Sequence, residues 1–317
     1  MATTLITGGL GYVGTNIARA LVANGERPVL FDLASISPPP GNLKQHVLVT
    51  RGDLSSFAEV FEAVHTYQPD CIFHLGAMIS MAAEANPWAA YGANANGTYH
   101  VLEAARIFNV GPVVFLTGIA TYGPGSPHTV NEDTFQSNPF QIYAATKIFG
   151  ERLGEYYHHR FRVDFRAASL PAICGPGRRE GLAAYPSLMV HESVRGRPCH
   201  LPVSENTLLP FIYIRDVVRC LQMMRTIDQS LLRRRIYSIS GFSITAGEMA
   251  EVVRRRIPGA QIEFAADENI IRMVSSMPKY VDDSRARADW GWSAEYDWEK
   301  SVEDFIATME SQPELYP

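Results

Sequence analysis

The stretch Thr4–Leu21, TLITGGLGYVGTNIARAL, decides the fold. A short β-rich run ends at Thr7, and glycines at 8, 11 and 14 lead into a segment with helical apolar spacing. Gly8 permits a tight turn, Gly11 lets the backbone approach a pyrophosphate, and Gly14 lets the helix close on the strand. The helix N-terminus adds free N–H groups and a partial positive charge. Glycine triplets also occur in ordinary turns, so the weight lies in the context: a strand before, a helix after, at the start of a βαβ unit. Gly8, Gly11, Tyr12, Val13 and Gly14 are therefore the first candidate dinucleotide-binding residues.

The alternation continues outward. Thr3–Thr7, Pro28–Asp32, Val47–Val49, Cys71–Leu75 and Val113–Thr117 read as strands. Gly11–Asn24, Ser56–Thr66 and Ala89–Phe108 lie between them with helical spacing, and Val163–Leu170 is a further strand after the helix Tyr143–His159. Continuous apolar strands such as PVLF and VVFL suit burial on both faces of a parallel sheet. The fold class expected is α/β: a Rossmann-type doubly wound parallel sheet with a smaller C-terminal substrate lobe. Residues 1–174 form the dinucleotide domain, the chain returning to it around 211–240, and 175–317 form mainly the lobe. The alternation breaks down after the loop Gly175–Gly181, and the chain ends in the amphipathic stretch Trp298–Met309. Pro38–Gly41, PPPG, reads as a surface turn or spacer.

Composition excludes several classes. The 317 residues are 46% hydrophobic and 19% charged, which is incompatible with a disordered chain. A net charge of -5 with no basic block argues against nucleic acid or an anionic membrane as the main partner. No apolar run approaches the roughly 20 residues of a membrane span, and MATTLITGG lacks the pattern of a secretory signal. Cys71, Cys174, Cys199 and Cys220 lie far apart, so a zinc ribbon or disulfide scaffold is not expected and a reducing cytoplasm fits.

The second strand ends at Asp32, 24 residues after Gly8, where an acid bonds the adenosine ribose. Its charge repels a 2′-phosphate and no Arg follows in Leu33–Ser37, so NAD is the expected cofactor rather than NADP. Asp53 and Leu54, after the third strand, are placed to bond and cover the adenine. Further along, Tyr143 and Lys147 form Y-x-x-x-K and share one helix face. An ammonium beside a phenol favours the phenolate, and such a phenol exchanges a proton with a substrate hydroxyl while hydride moves at the nicotinamide.

These features together resemble the extended short-chain dehydrogenases/reductases, the NAD-dependent epimerase/dehydratase family. The likeness runs through TGGLGYVG, Asp32, Asp53-Leu54, HLGA (His74–Ala77), NANGT (Asn94–Thr98), Tyr122-Gly123, YAATK and LPAICGPG. It implies that Leu75, Gly76 and Ala77 line the cofactor cleft, that Asn94 sets geometry near the active-site helix, and that Pro171 and Ile173 lie near the nicotinamide. Within the superfamily, GAMISMAAEANPWAAYGANANGT, GIATYGP, GERLGEYYHHRFRVDFR, LPFIYIRDVVR and MPKYVDDSRARADWGW most resemble the short-chain-type L-threonine dehydrogenases. UDP-sugar epimerases carry a diphosphate-binding Arg where this chain has Leu209, which favours a small substrate without a nucleotide.

Two departures bear on the substrate and the mechanism. The threonine dehydrogenases show Gly-Thr-Thr-Asp-Tyr where this chain reads Gly181-Leu182-Ala183-Ala184-Tyr185. Either the pocket accepts a less polar substrate, or the triplet only packs. The family's Ser or Thr, 25 residues before the catalytic Tyr, is Gly118 here. Thr117 is the expected third catalytic residue, through a local bulge that turns it inward, with Thr121, Ser80, water or the Tyr alone as alternatives. Ser80, Gly118, Arg178, Leu182 and Tyr185 are the candidate substrate contacts, with Arg178 and Arg179 either holding a carboxylate or solvated.

No metal is expected: His158 and His159 are consecutive and lack helical ligand spacing, and His74 reads as a packing or hydrogen-bonding residue. Cys174 reads as a small buried residue, and Trp290 and Trp292 as core anchors. Broad apolar faces on Ala89–Phe108 and Tyr143–His159 imply, through the resemblance, a homodimer. The leading reading is an NAD-dependent dehydrogenase acting on the secondary alcohol of a small β-hydroxy acid or amino acid. An NAD-retaining sugar or sugar-nucleotide epimerase and a non-catalytic NAD-binding sensor are the alternatives.

Overall fold

A computed structural model describes residues 3–34, 41–181 and 183–316. The expected spacer residues Pro38–Pro40, the candidate Leu182 and the side chain of Ser80 lie outside the described residues.

In chain order the first elements are β1 (Thr4–Thr7), α1 (Tyr12–Ala23), β2 (Val29–Asp32), β3 (Leu48–Arg51), α2 (Phe57–Tyr67) and β4 (Cys71–His74). They continue with α3 (Ser80–Ala85), α4 (Pro87–Ala90), a π-turn (Tyr91–Asn96), α5 (Gly97–Ile107) and β5 (Val113–Gly118). Then come β6 (Thr129–Val130), α6 (Ile142–Phe161), β7 (Phe165–Leu170), β8 (Ala172–Cys174), α7 (Tyr185–Val194), β9 (Cys199–Leu201), β10 (Leu208–Tyr213) and α8 (Ile214–Thr226). The last are β11 (Ile236–Ser238), β12 (Phe242–Thr245), α9 (Ala246–Arg256), β13 (Ile262–Phe264), α10 (Glu268–Ser275), β14 (Tyr280–Val281), α11 (Ser284–Trp290) and α12 (Trp298–Ser311).

The chain divides into two units built from interleaved segments. One comprises residues 1–121, 139–169 and 218–237; the other comprises 122–138, 170–217 and 238–317. The expected break at 174 lies a few residues late. The reason is β8, which pairs in parallel with β10 (Ile173 opposite Ile212) and so joins the second unit.

The first unit holds a seven-stranded sheet in the order β11-β7-β5-β4-β1-β2-β3. From β3 to β5 the pairings are parallel. Every residue of β1 and β4 is buried, as double-sided covering requires. Phe31, Ile72, Phe115, Phe165, Val101 and Leu102 form the centre of its core. Strand order turns at β1, with β2 on one side and β4 on the other, and ligands of open sheets bind outside the strand ends at such a turn. Helix α6 lies close on the sheet: a Cβ on Gly154 would stand 2.2 Å from the Phe165 ring.

The second unit holds a three-stranded sheet, β12-β10-β8, and two strand pairs, β13-β9 and β14-β6. Helices α7, α9 and α12 pack together there, and the Trp298 indole N–H donates to the Met249 carbonyl at 3.1 Å. Trp290 and Trp292 are both buried, their rings 6.0 Å apart.

Candidate active site

The corner after β1 has the shape its glycines predict. Gly8 adopts φ +66°, a left-handed conformation, and a Cβ there would stand 2.7 Å from the Gly76 backbone. A Cβ on Gly14 would stand 2.3 Å from the Gly8 carbonyl oxygen. Helix α1 starts from Gly11 with no side-chain cap and no acid in its first turn, so Tyr12, Val13 and Gly14 open a helix end suited to an anion. Asp32, at the end of β2, braces this corner: one carboxylate oxygen accepts from the Leu10 N–H at 2.9 Å and the other from Ala34 at 3.1 Å. Each oxygen keeps acceptor capacity for a ribose hydroxyl. Asp53 accepts from the Ser55 N–H at 2.8 Å, and Leu54 is buried with its carbonyl 2.8 Å from His100 Nδ1. Cradle, uncapped helix end and acid fit a dinucleotide.

A buried hydrogen-bond chain holds the facing wall, Leu75–Ala77. The Gly76 N–H donates to Thr7 Oγ1 (3.2 Å), and with the imidazole proton on Nε2 the Thr7 hydroxyl donates to His74 Nδ1 (2.8 Å). Thr98 Oγ1 donates to the Asn94 carbonyl (2.6 Å), so it accepts from His74 Nε2–H (3.0 Å). This order requires a neutral imidazole. Burial, reinforced by the Lys147 charge, pulls His74 down to about 3, in agreement. The Leu75 N–H also donates to the Thr7 carbonyl. His74 thus has the hydrogen-bonding place its motif suggests, while Thr7 and Thr98 are partners the sequence analysis did not single out.

Asn94 sits in the π-turn that interrupts the continuous helix expected over Ala89–Phe108. The wider turn aims its amide at two elements. Asn94 Oδ1 accepts from the Met78 N–H (2.8 Å), and Nδ2 donates to the Met78 carbonyl (2.9 Å) and to Thr146 Oγ1 (3.1 Å). Thr146 in turn donates to the Tyr143 carbonyl at 2.9 Å. Glu84 of α3 accepts from the Ile142 N–H at 2.7 Å. The start of α6, where Tyr143 stands, is held from both directions.

Tyr143 and Lys147 stack on one face of α6, with Lys147 Nζ 5.8 Å from the Tyr143 ring centroid. The ammonium is buried, donates to the Leu116 carbonyl at 2.7 Å and lies 4.4 Å from the centroid of Phe115. Burial pulls it down to about 7, against the opposing charge of Glu151.

Thr117 departs from expectation. Its hydroxyl donates to Glu151 Oε1 at 2.6 Å inside the protein. A hydroxyl has one proton, and this one is directed to α6 and away from a substrate oxygen. Thr121 likewise donates back to the Gly118 carbonyl at 3.0 Å. Gly118 ends β5, half-exposed. Glu151 itself was missed, although its position four residues after Lys147 was visible in YAATKIFGE.

The remaining candidates lie in the second unit. Pro171 separates β7 from β8, and Ile173 is on β8. Arg178 follows Gly175–Gly177 in the loop, and Arg179 lies 3.3 Å from His191 Nε2. Ala183, Ala184 and Tyr185 are buried, and the Tyr185 ring stands edge-on to Phe211 at 5.6 Å. Burial pushes the Cys174 thiol up to about 12, which is inert as a nucleophile. Leu209 is fully buried in β10, opposite Ile244.

Residues 4–240 match the NAD dependent epimerase/dehydratase family. The chain belongs to that family. Among similar proteins, the mitochondrial L-threonine 3-dehydrogenase of Bos taurus is 32% identical over 313 residues, covering 96% of this chain and 81% of the relative. The holo form of a GalE-like L-threonine dehydrogenase from Cupriavidus necator superposes with a TM-score of 0.91 at 27% identity, over 97% of this chain and 99% of that one. A nucleoside-diphosphate-sugar epimerase from Agrobacterium tumefaciens superposes with a TM-score of 0.87 at 29% identity, over 98% and 95% of the chains. As a member of the epimerase/dehydratase family of extended short-chain type, the protein is an NAD-dependent dehydrogenase. Among the described residues no helix is long and apolar enough to cross a membrane.

Proposed function

We propose that the protein oxidises the secondary alcohol of a small polar substrate, a β-hydroxy acid or amino acid close to L-threonine, with Tyr143 as general acid/base. The observation that carries this reading is the pair on α6: a phenol with a buried ammonium one turn behind it, at the end of β5. When bound, the nicotinamide supplies the hydride-accepting carbon. Tyr143 Oη takes the proton of the substrate hydroxyl as the C–H electron pair leaves, and returns it in the reverse direction. Lys147 favours the phenolate and holds the nicotinamide ribose hydroxyls. With the Thr117 and Thr121 hydroxyls engaged internally, polarising the substrate oxygen falls to Tyr143, aided by Ser80 or water. Asp32 binds the adenosine ribose and disfavours a 2′-phosphate, which supports NAD as the cofactor.

The threonine dehydrogenase relatives support the substrate class. Burial of Ala183 and Ala184 favours reading those two changed positions as packing; Arg178 of the same loop is kept as the candidate carboxylate ligand. The apolar Leu209 weighs against a nucleotide-linked sugar. An assay of NADH formation with L-threonine and a panel of β-hydroxy acids tests the reading. Turnover with NAD, and little with NADP, is the expected outcome. Conversion of a UDP-hexose without net NADH would replace it with an epimerase, and tight NAD binding without turnover would replace it with a sensor.

Trp88 on α4, Tyr99 on α5, and Phe149 and Tyr156 on α6 are exposed large rings of the first unit, Trp88 at 85%. Such an aromatic surface supports a homodimer through these helices. Sedimentation at micromolar concentration is expected to give twice the 35.2 kDa chain mass; a monomer would overturn this part. The four free cysteines, all buried, suit a reducing cytoplasm.

A further inference from the structure

Glu151 is a carboxylate with 0% exposure in the middle of α6, and Lys147, one turn earlier, is an ammonium with 4% exposure. Burying either charge alone is strongly unfavourable, so each requires the other nearby. The 2.6 Å bond from Thr117 falls in the range of a hydroxyl donating to an ionised oxygen. That bond fixes the carboxylate from the strand side, on the same strand whose Leu116 carbonyl receives Lys147 Nζ. Adjacent residues of β5 thus hold the two opposite charges of α6.

We propose that Glu151, anchored by Thr117, is a positioning residue of the dehydrogenase: it is the counter-charge that keeps Lys147 protonated and in place behind Tyr143. The proposal rests on the assignment of Tyr143 and Lys147 made above and extends it to the carboxylate behind the pair. It also explains the departure of Thr117, whose hydroxyl acts on the catalytic pair through Glu151.

The surroundings of Lys147 leave this task to Glu151. From α6 it faces Tyr143 and Glu151. From β5 it meets the Phe115 ring and the Leu116 carbonyl, neither of which titrates. From β4 comes His74, which is neutral. The π-turn contributes Asn94, and α3 brings Glu84 to the start of α6 at the Ile142 N–H. On α5, Glu103 is paired with Arg106 and bonded to Tyr157, nearly four turns along the helix from Tyr143. Among the described residues, the charge acting on Lys147 is that of Glu151, and it opposes the pull of burial.

The test uses the cofactor-free protein. The chain has four lysines (Lys44, Lys147, Lys279 and Lys300), so lysine labelled with carbon-13 at Cε gives four resolvable NMR signals, assigned with Lys147→Arg. In Glu151→Gln the Lys147 titration midpoint is expected to fall by about one pH unit or more, while the other three stay put. Thr117→Val is expected to move it in the same direction by less, because the carboxylate loses the bond that favours its ionised form. An unmoved Lys147 midpoint in Glu151→Gln would overturn the proposal and leave Glu151 as a helix–strand staple. If that variant does not fold, Thr117→Val carries the same decision. The assignment of the pair is tested separately by the activity of Tyr143→Phe, so either can fail without the other.

Discussion

Tyr143→Phe is expected to reduce turnover by about 10²–10⁴-fold while NAD affinity and thermal stability stay near those of the parent. The change removes one oxygen and keeps the ring that packs beside Lys147. Among the described residues, the other hydroxyl, imidazole and thiol candidates named above are engaged elsewhere or inert. His74 is fully engaged by Thr7 and Thr98 and held neutral well below physiological pH. Thr117 and Thr121 direct their protons inward. Cys174 is a buried thiol pushed up to about 12. Steady-state rates with the substrate that emerges from the panel, together with NAD binding by calorimetry, check the prediction. Full activity in the phenylalanine variant would remove Tyr143 from the mechanism.

Gly14→Ala is the second large effect, and it falls on cofactor binding. The added methyl would stand 2.3 Å from the Gly8 carbonyl and 2.8 Å from the Gly9 Cα, both of them backbone atoms that cannot rotate aside. Relief requires α1 to move off β1 or the corner to open. Either displaces the first-turn N–H groups and the Leu10 N–H that Asp32 holds. A loss of about 3 kcal/mol of binding corresponds to roughly a hundredfold weaker NAD affinity. The seven-stranded sheet does not depend on this methyl's space, so folding is expected to survive with a lowered Tm. Calorimetric titration with NAD beside a thermal melt separates the two. Unchanged affinity would mean that the cofactor does not approach this corner.

Much of this was legible in the residues because it is local. Gly8 to Gly14 announce the turn, since only glycine tolerates the positive φ and the backbone contacts found there. Asp32 sits at the end of a β-branched and aromatic run, and Tyr143 and Lys147 share a face through simple helical spacing. Six strands of the seven-stranded sheet fall within a residue or two of their expected bounds because continuous apolar runs between glycine and proline signals leave little choice, whereas β11 was not foreseen as a strand.

What escaped the reading involves partners far apart in sequence. Thr117 and Glu151 are 34 residues apart, His74 and Thr7 67 apart, and Asn94 and Thr146 52 apart. No spacing rule links such pairs. The π-turn was hidden for a related reason: its purpose is to deliver the Asn94 amide to Met78 and Thr146, and neither neighbour is visible from Ala89–Phe108 alone.

The order of short-range signals therefore determined the architecture, the glycine corner after β1 and the placement of Tyr143 and Lys147 on one helix face. Tertiary packing decided where the buried protons go: that His74 is neutral between Thr7 and Thr98, and that the Thr117 hydroxyl donates to Glu151. A hydroxyl or carboxylate in a dry interior must find a partner, and which one it finds depends on the strand and helix that folding brings to within 3 Å.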